Sequence, residues 1–304
     1  MVPLLLHSQE EPKAAYYFNP DFSPDGSQII FESTRDGNFA IYAIRIDGSG
    51  LRKLTNGEVN DSQARWSSDG GQIVFISDRD GHGTHEQIYI MDADGSNQRR
   101  ITNDSVGNFL PDLSPDGNQV VFTSSPRQAS RGTEIFTIRT DGTRRFSLTN
   151  YGDSETGNPR WSPDGKQILF SKQMIFPDGF PKLSSQEKLQ VRNQVKNSAE
   201  IFIMETDGSH ARNLTNNSFP EGDAHWSKDG KKIYFISEQE RTSALFVMNS
   251  DGSQARKLAV GDFVHSANLS RDGKYFVYSK EVFGKFGLFI YDREEMTERL
   301  LIGG

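Results

Sequence analysis

The tetrapeptide Ser-x-Asp-Gly occurs six times in this chain, beginning at Ser23, Ser67, Ser114, Ser162, Ser227 and Ser270, at intervals of 44, 47, 48, 65 and 43 residues. A period in the forties marks a repeat architecture, so the 304 residues are read first as one array rather than as separate domains. Six residues after each serine stand Ile29, Ile73, Val120, Ile168, Ile233 and Phe276; eight after it stand Phe31, Phe75, Phe122, Phe170, Phe235 and Tyr278. A spacing of two puts both side chains on one face of a strand. The residue before each serine is Phe22, Trp66, Leu113, Trp161, Trp226 or Leu269, so all three tryptophans share one slot of the repeat. That slot predicts a large apolar plug between neighbouring units.

A further apolar pair follows in every copy, from Ile41-Tyr42 to Leu288-Phe289, and in five copies an Asp-Gly pair comes next, at Asp47, Asp94, Asp141, Asp207 and Asp251. Asp-Gly suits tight hairpins because both residues tolerate positive φ. The sixth copy has Asp292-Arg293 there, which predicts a longer hairpin. A short fourth strand ends at Leu54, Ile101, Leu148, Leu214 or Leu258, often before Thr-Asn. Each unit therefore has strands A to D. One such sheet cannot bury both faces alone, but a closed ring of them can. The predicted fold is an all-β, six-bladed β-propeller of four-stranded antiparallel blades, one domain over 1–304. The last strand falls at 297–302, and residues 1–15 form a tail or a ring-closing segment.

The 21 Phe and 9 Tyr argue against disorder despite a hydrophobic fraction of only 34%. A net charge of −7 argues against nucleic acid as a partner. The pairs Arg99-Arg100, Arg144-Arg145 and Lys231-Lys232 fall at turns or strand edges, where charge discourages edge pairing. Without cysteine there is no disulfide or thiol chemistry. Val2–Leu6, broken by Pro3, is too short for a membrane span or a signal core. The expectation is a monomer that does not insert into membranes and shows no export signal, being either cytosolic or cut after one.

The A–B and C–D turns share one face of the ring and are uniform. The D–A and B–C loops share the other and vary, which makes that face and its channel mouth the expected binding surface. Its D–A segments are acidic, with Glu155, Glu221 and Asp223 as candidates for a basic partner or a cation. The long interval in blade 4 places an insertion at 172–198. There Ser184-Ser185-Gln186-Glu187 reads as a capping box, predicting a helix over 184–196. Phe176 and Phe180, ahead of it, are contact candidates, since aromatics are enriched at interfaces.

No nucleophile elbow, phosphate-binding loop or dinucleotide fingerprint is present. Asp92–Gly95 resembles the start of a calcium loop but lacks the later ligands, and reads as a repeat turn. His225 and His265, near the A strands of blades 5 and 6, and Gln63, near that of blade 2, are the candidates for a metal at the channel mouth.

Trp161-Ser162-Pro163-Asp164-Gly165, and Ile88-Tyr89 leading to Asp94-Gly95, resemble the TolB-like β-propeller family over residues 16–302. The resemblance implies the propeller fold and a periplasmic or envelope location. The N-terminal α/β domain that TolB carries has no counterpart in this sequence. Oligogalacturonate lyases, similar in fold, hold a metal with His and Gln, and related propellers gate prolyl-oligopeptidase-like hydrolases, for which no hydrolase domain follows here. The leading expectation is a non-enzymatic protein- or peptide-binding scaffold without a cofactor. The alternative is a metal-dependent lyase or hydrolase acting on a sugar-type polymer.

Overall fold

A computed structural model describes residues 15–80, 85–125, 132–152, 154–175, 184–187, 199–239, 243–258 and 266–303. Their strands form six four-stranded antiparallel sheets, each from four consecutive strands. Blade 1 comprises β1 (Tyr17–Phe22), β2 (Gln28–Ser33), β3 (Ala40–Arg45) and β4 (Arg52–Lys53), which are its strands A to D. The later A strands are β5 (Asp61–Trp66), β9 (Asn108–Leu113), β13 (Ser154–Trp161), β17 (Glu221–Trp226) and β21 (Ala267–Leu269).

The recurring tetrapeptide is a hydrogen-bonded A–B turn. Ser23 Oγ donates to Asp25 Oδ1 at 2.6 Å and accepts the Gln28 N–H at 2.9 Å, while the Gly26 N–H returns to the Ser23 carbonyl at 2.8 Å. The serine hydroxyl makes the same two bonds in the other five copies. The hydroxyl thus replaces solvent for two backbone and side-chain groups at the tightest bend of the blade.

Strand D is only two residues long in blades 1 to 5. The Leu54 N–H still reaches the Ile41 carbonyl at 2.8 Å, but the next partner is a side chain: the Ile41 N–H donates to Thr55 Oγ1 at 3.1 Å. Thr102, Thr149 and Thr215 do the same for Ile88, Ile135 and Ile201. The Thr of the recurring Thr-Asn therefore finishes the ladder that a longer strand would have supplied. In blade 6, strand D runs Thr297–Gly303 beside Lys285–Asp292. Its turn spans four residues, 293–296, between the paired Asp292 and Thr297, against three in the Asp-Gly turns, where for example the Arg45 N–H donates to the Ser49 carbonyl at 2.9 Å, so it is longer as the sequence expected. Asp292 Oδ1 accepts the N–H groups of Glu294 and Glu295, and Met296 takes φ 54°, closing the turn without Asp-Gly.

The core lies between blades. Trp66 packs with Ile30, Ile41 and Leu54 of blade 1 as well as Ile73 and Phe75 of its own blade. Trp161 bridges Val121 and Leu148 of blade 3 to Phe170 of blade 4. The plug slot read from the sequence is thus borne out. The C–D turn of one blade also abuts the D strand of the one before: a Cβ on Gly95 would lie 2.7 Å from the Leu54 carbonyl oxygen, at φ +94°. Gly26 has φ +73° and open space around it. Gly26→Ala is expected to cost about 1 kcal/mol for the backbone alone, and Gly95→Ala at least about 2 kcal/mol more from the clash. Urea unfolding midpoints of the two variants check this; equal losses would mean that the close approach carries no weight.

Among the described residues the ring closes without an exchanged strand. Blades 6 and 1 share a cluster of Tyr17, Ile29 and Phe31 with Val277, Leu288 and Ile290. The Asn19 N–H donates to Ser266 Oγ at 3.0 Å, and Asn268 Nδ2 donates to Asp21 Oδ1 at 2.6 Å. Of the segment expected to help closure, Ala15 packs against this cluster and residues 1–14 lie outside the described residues. In the insertion, residues 185–187 form a helical turn and the capping box is made: Ser184 Oγ donates to Glu187 Oε2 at 2.6 Å, and the Glu187 N–H donates to Ser184 Oγ at 3.3 Å. The rest of the expected helix falls outside the described residues.

Candidate functional site at the channel mouth

Strand A lines the central channel, and its geometry is set by a bulge. In blades 1 to 5 its pairing with strand B skips a residue. The residue four before each repeat serine takes a left-handed conformation: Asn19, Gln63, Leu110, Asn158 and Asp223 have φ between 47° and 53°. Bulges re-aim side chains and break simple alternation. Here the left-handed residues link blades around the ring. The Gln63 N–H donates to Glu32 Oε2 at 2.8 Å, the Leu110 N–H to Gln63 Oε1 at 2.6 Å, and Asn158 Nδ2 to Asp223 Oδ1 at 2.7 Å.

Two residues further along, the residues pointing to the mouth are Asp21, Arg65, Asp112, Arg160, His225 and Asn268, one from each blade. With the plug residues and the A–B turns they line a cavity of about 430 Å³. It opens on the face of the uniform A–B turns, not on the variable face that the sequence favoured. His225 accordingly sits at this end of the channel rather than on the variable face, because it is the next-to-last residue of its strand.

The carboxylates in this tier are held by neighbouring blades. Asp21 takes Asn268 Nδ2 on one oxygen and the Trp66 N–H, at 2.9 Å, on the other; Asp112 takes the Trp161 N–H at 2.9 Å. The arginines are less well matched. Arg160 Nη1 lies 3.8 Å from Asp112 Oδ1, and its Nε and Nη2 have no partner. Arg65 Nη1 donates to the Ala64 carbonyl at 3.1 Å and its Nε has no partner. Both are buried, at 7% and 6% exposure for Arg65 and Arg160. Burial pushes the Asp112 carboxyl up to about 6 and the Arg160 guanidinium down to about 10. Burial, then the positive fields of Arg160 and Arg65, hold His225 well below its usual range, so it is neutral at physiological pH. At the rim, Arg271 Nη1 reaches from blade 6 to the Ser68 carbonyl of blade 2 at 3.2 Å.

The residues chosen from the sequence are scattered. Glu155 is exposed, Asp223 is half-buried in the channel, and Glu221 is buried, with Oε1 accepting Asn217 Nδ2 at 2.8 Å. Glu221 therefore lies beneath the variable face instead of forming part of a rim. Asp61 and Asp104, which also belong to D–A segments, are paired with Arg79 and Arg145. Gln63 is engaged in the lower tier, apart from His225 in the upper. Phe176, Phe180 and His265 lie outside the described residues. Among the described residues no three His, Cys, Asp or Glu side chains converge on a point where they could hold a metal ion. No helix among them is long and apolar enough to cross a membrane.

The family model for the TolB beta propeller domain matches residues 11–183 and 178–304. Among solved structures, a putative TolB from Agrobacterium tumefaciens is 21% identical, with a TM-score of 0.64, over 84% of this chain and 87% of its own. TolB from Acinetobacter baumannii is 18% identical, with a TM-score of 0.67, over 95% of this chain and 63% of its own. An oligogalacturonate lyase in complex with manganese is 13% identical, with a TM-score of 0.64, over 94% and 77%. At these identities the likeness shows the fold alone. The two curated relatives are matched over 14% and 10% of their own lengths.

Proposed function

Because the chain belongs to the TolB beta propeller family, we propose that it is a non-enzymatic scaffold that takes a segment of a protein or peptide partner into the channel mouth. The observation that carries this reading is the mouth itself: a cavity of about 430 Å³ walled by Trp66, Trp161 and Trp226, on a ring whose polar lining is held blade to blade. A rigid concave site with apolar walls and a few fixed polar groups is what a binding module presents. The proposal includes a monomer in the periplasm or cell envelope, as the family resemblance implies. The variable face, with Glu155 and the insertion, is then a secondary surface.

Every tryptophan of the chain lines this cavity, so intrinsic fluorescence reports its occupancy directly. The test is selection of peptides from a displayed library on the intact chain, followed by fluorescence titration. Selected peptides are expected to shift the emission of the wild type and to fail with Ser68→Trp, which fills the mouth. Peptides that bind both proteins equally, or a selection that yields none, would overturn the assignment.

A further inference from the structure

The charge balance of the mouth narrows the ligand further. We propose that Arg160 and Arg65 form a carboxylate site, receiving an acidic side chain or a chain-terminal carboxylate of the peptide partner; this rests on the scaffold reading above. A buried guanidinium is normally matched to a carboxylate in two parallel hydrogen bonds. Arg160 has no such match. Its nearest carboxylate oxygen is 3.8 Å from Nη1, beyond hydrogen-bond range, and the other Asp112 oxygen already serves the Trp161 N–H. Its Nε and Nη2 stand without partners although the residue is only 6% exposed. Arg65, 7% exposed, adds a third unpartnered nitrogen. Asp21 does not supply the missing acceptor: its oxygens take Asn268 Nδ2 and the Trp66 N–H, and Arg160 Nε and Nη2 and Arg65 Nε remain without partners.

Buried donors left unpaired are costly, and a ligand oxygen that satisfies them recovers that cost on binding. The remaining lining selects among anions. Trp66, Trp161 and Trp226 each bring an unpartnered indole N–H together with a large apolar surface. That combination suits a carboxylate carried on an organic stem. Asp21 and Asp112 stand in the same tier, and their negative charge opposes a dianion such as phosphate more than a single carboxylate. Lys228 and Arg271 at the rim add positive charge on the approach.

The test uses the library-selected peptides, their synthetic variants, and the small anions glutarate and inorganic phosphate. Selected peptides are expected to contain Glu, Asp or an essential free C-terminus. Glu→Gln in an internal position should weaken binding about tenfold or more, and amidation of the C-terminus should do so if the chain end is the ligand; the two changes separate the sources. Arg160→Gln and Arg65→Gln should each weaken the acidic peptide, and either one combined with the peptide's Glu→Gln should weaken it little further. Glutarate should displace the peptide at lower concentration than phosphate. If Arg160→Gln fails to fold, the Glu→Gln and amide comparisons on the wild type and on Arg65→Gln decide alone. Peptides that enter the mouth but are indifferent to carboxylate removal, or that phosphate displaces as readily as glutarate, would overturn the carboxylate site and leave the scaffold standing. Peptides that Ser68→Trp does not exclude would overturn the scaffold reading itself.

Discussion

Trp161→Ala is expected to cost the ring about 3–5 kcal/mol of stability, in the range of a large buried aromatic cut back to a methyl group. The residue is 8% exposed and joins the hydrophobic cores of two blades, so no single sheet can relax to fill the space. It also presents its backbone N–H to Asp112 of the preceding blade. Phe146→Ala removes a comparable ring from a strand D position that is 59% exposed, and should cost less than about 1 kcal/mol. Trp161→Phe keeps most of the plug and should fall between them. The measurement is the urea midpoint with its slope. A Trp161→Ala protein within about 1 kcal/mol of the wild type would show that neighbouring blades do not depend on the plug.

The stability lost to the Asp112 carboxylate is expected to return as pH drops from 7 to about 5, and the fold as a whole to collapse in stronger acid. Ten turn aspartates lie below the usual carboxylate range: Asp25, Asp69, Asp116, Asp164 and Asp229 in A–B turns, and Asp47, Asp94, Asp141, Asp207 and Asp251 in C–D turns. The neighbouring serine or threonine hydroxyl is the largest cause in each. A depressed folded-state value stabilises the fold above the unfolded value of 3.8, and that contribution is lost as pH falls through the folded value. Asp112 works in the opposite sense. Its folded value of about 6 exceeds 3.8, so its contribution is complete below 3.8 and is lost as pH rises through about 6. For this half-buried carboxyl, whose side chain is 17% exposed, the interval corresponds to at most on the order of 3 kcal/mol. His225 opposes this, because a histidine held neutral in the fold well below 6.5 loses its contribution as pH falls below that value. The Asp112 part is therefore read as the difference in Tm between the wild type and Asp112→Asn, which should shift in favour of the wild type as pH drops from 7 to about 5, before both proteins collapse below the ordinary carboxylate range. A difference that stays constant between pH 7 and 5 would contradict the desolvation of that carboxyl.

The fold was legible because its signals repeat in identity. A serine that bonds the same two partners six times, and an aromatic that plugs the same gap, survive as letters in the sequence. The mouth was not legible because its slot, two residues before each serine, holds Asp, Arg, Asp, Arg, His and Asn: one place, four residue types. Reading that column across the copies would have shown charged groups at a regular position within otherwise buried strands. The bulge hid it further, since the left-handed residue at Asn19 or Gln63 breaks the alternation from which facing is inferred. The acidic D–A segments misled for a related reason. Asp61 and Glu221 look like loop charges by their neighbours, yet both begin an A strand and are buried there.

The seam between blades 6 and 1 has a mechanical consequence. At every other boundary the polypeptide itself runs from one blade to the next. Among the described residues the join at the seam consists of apolar packing and a few bonds such as Asn19 to Ser266 and Asn268 to Asp21. In that respect these blades form a split washer rather than a hoop. The tier that frames the mouth is tied to the same join through Asp21, so a shift at the split is felt at the mouth.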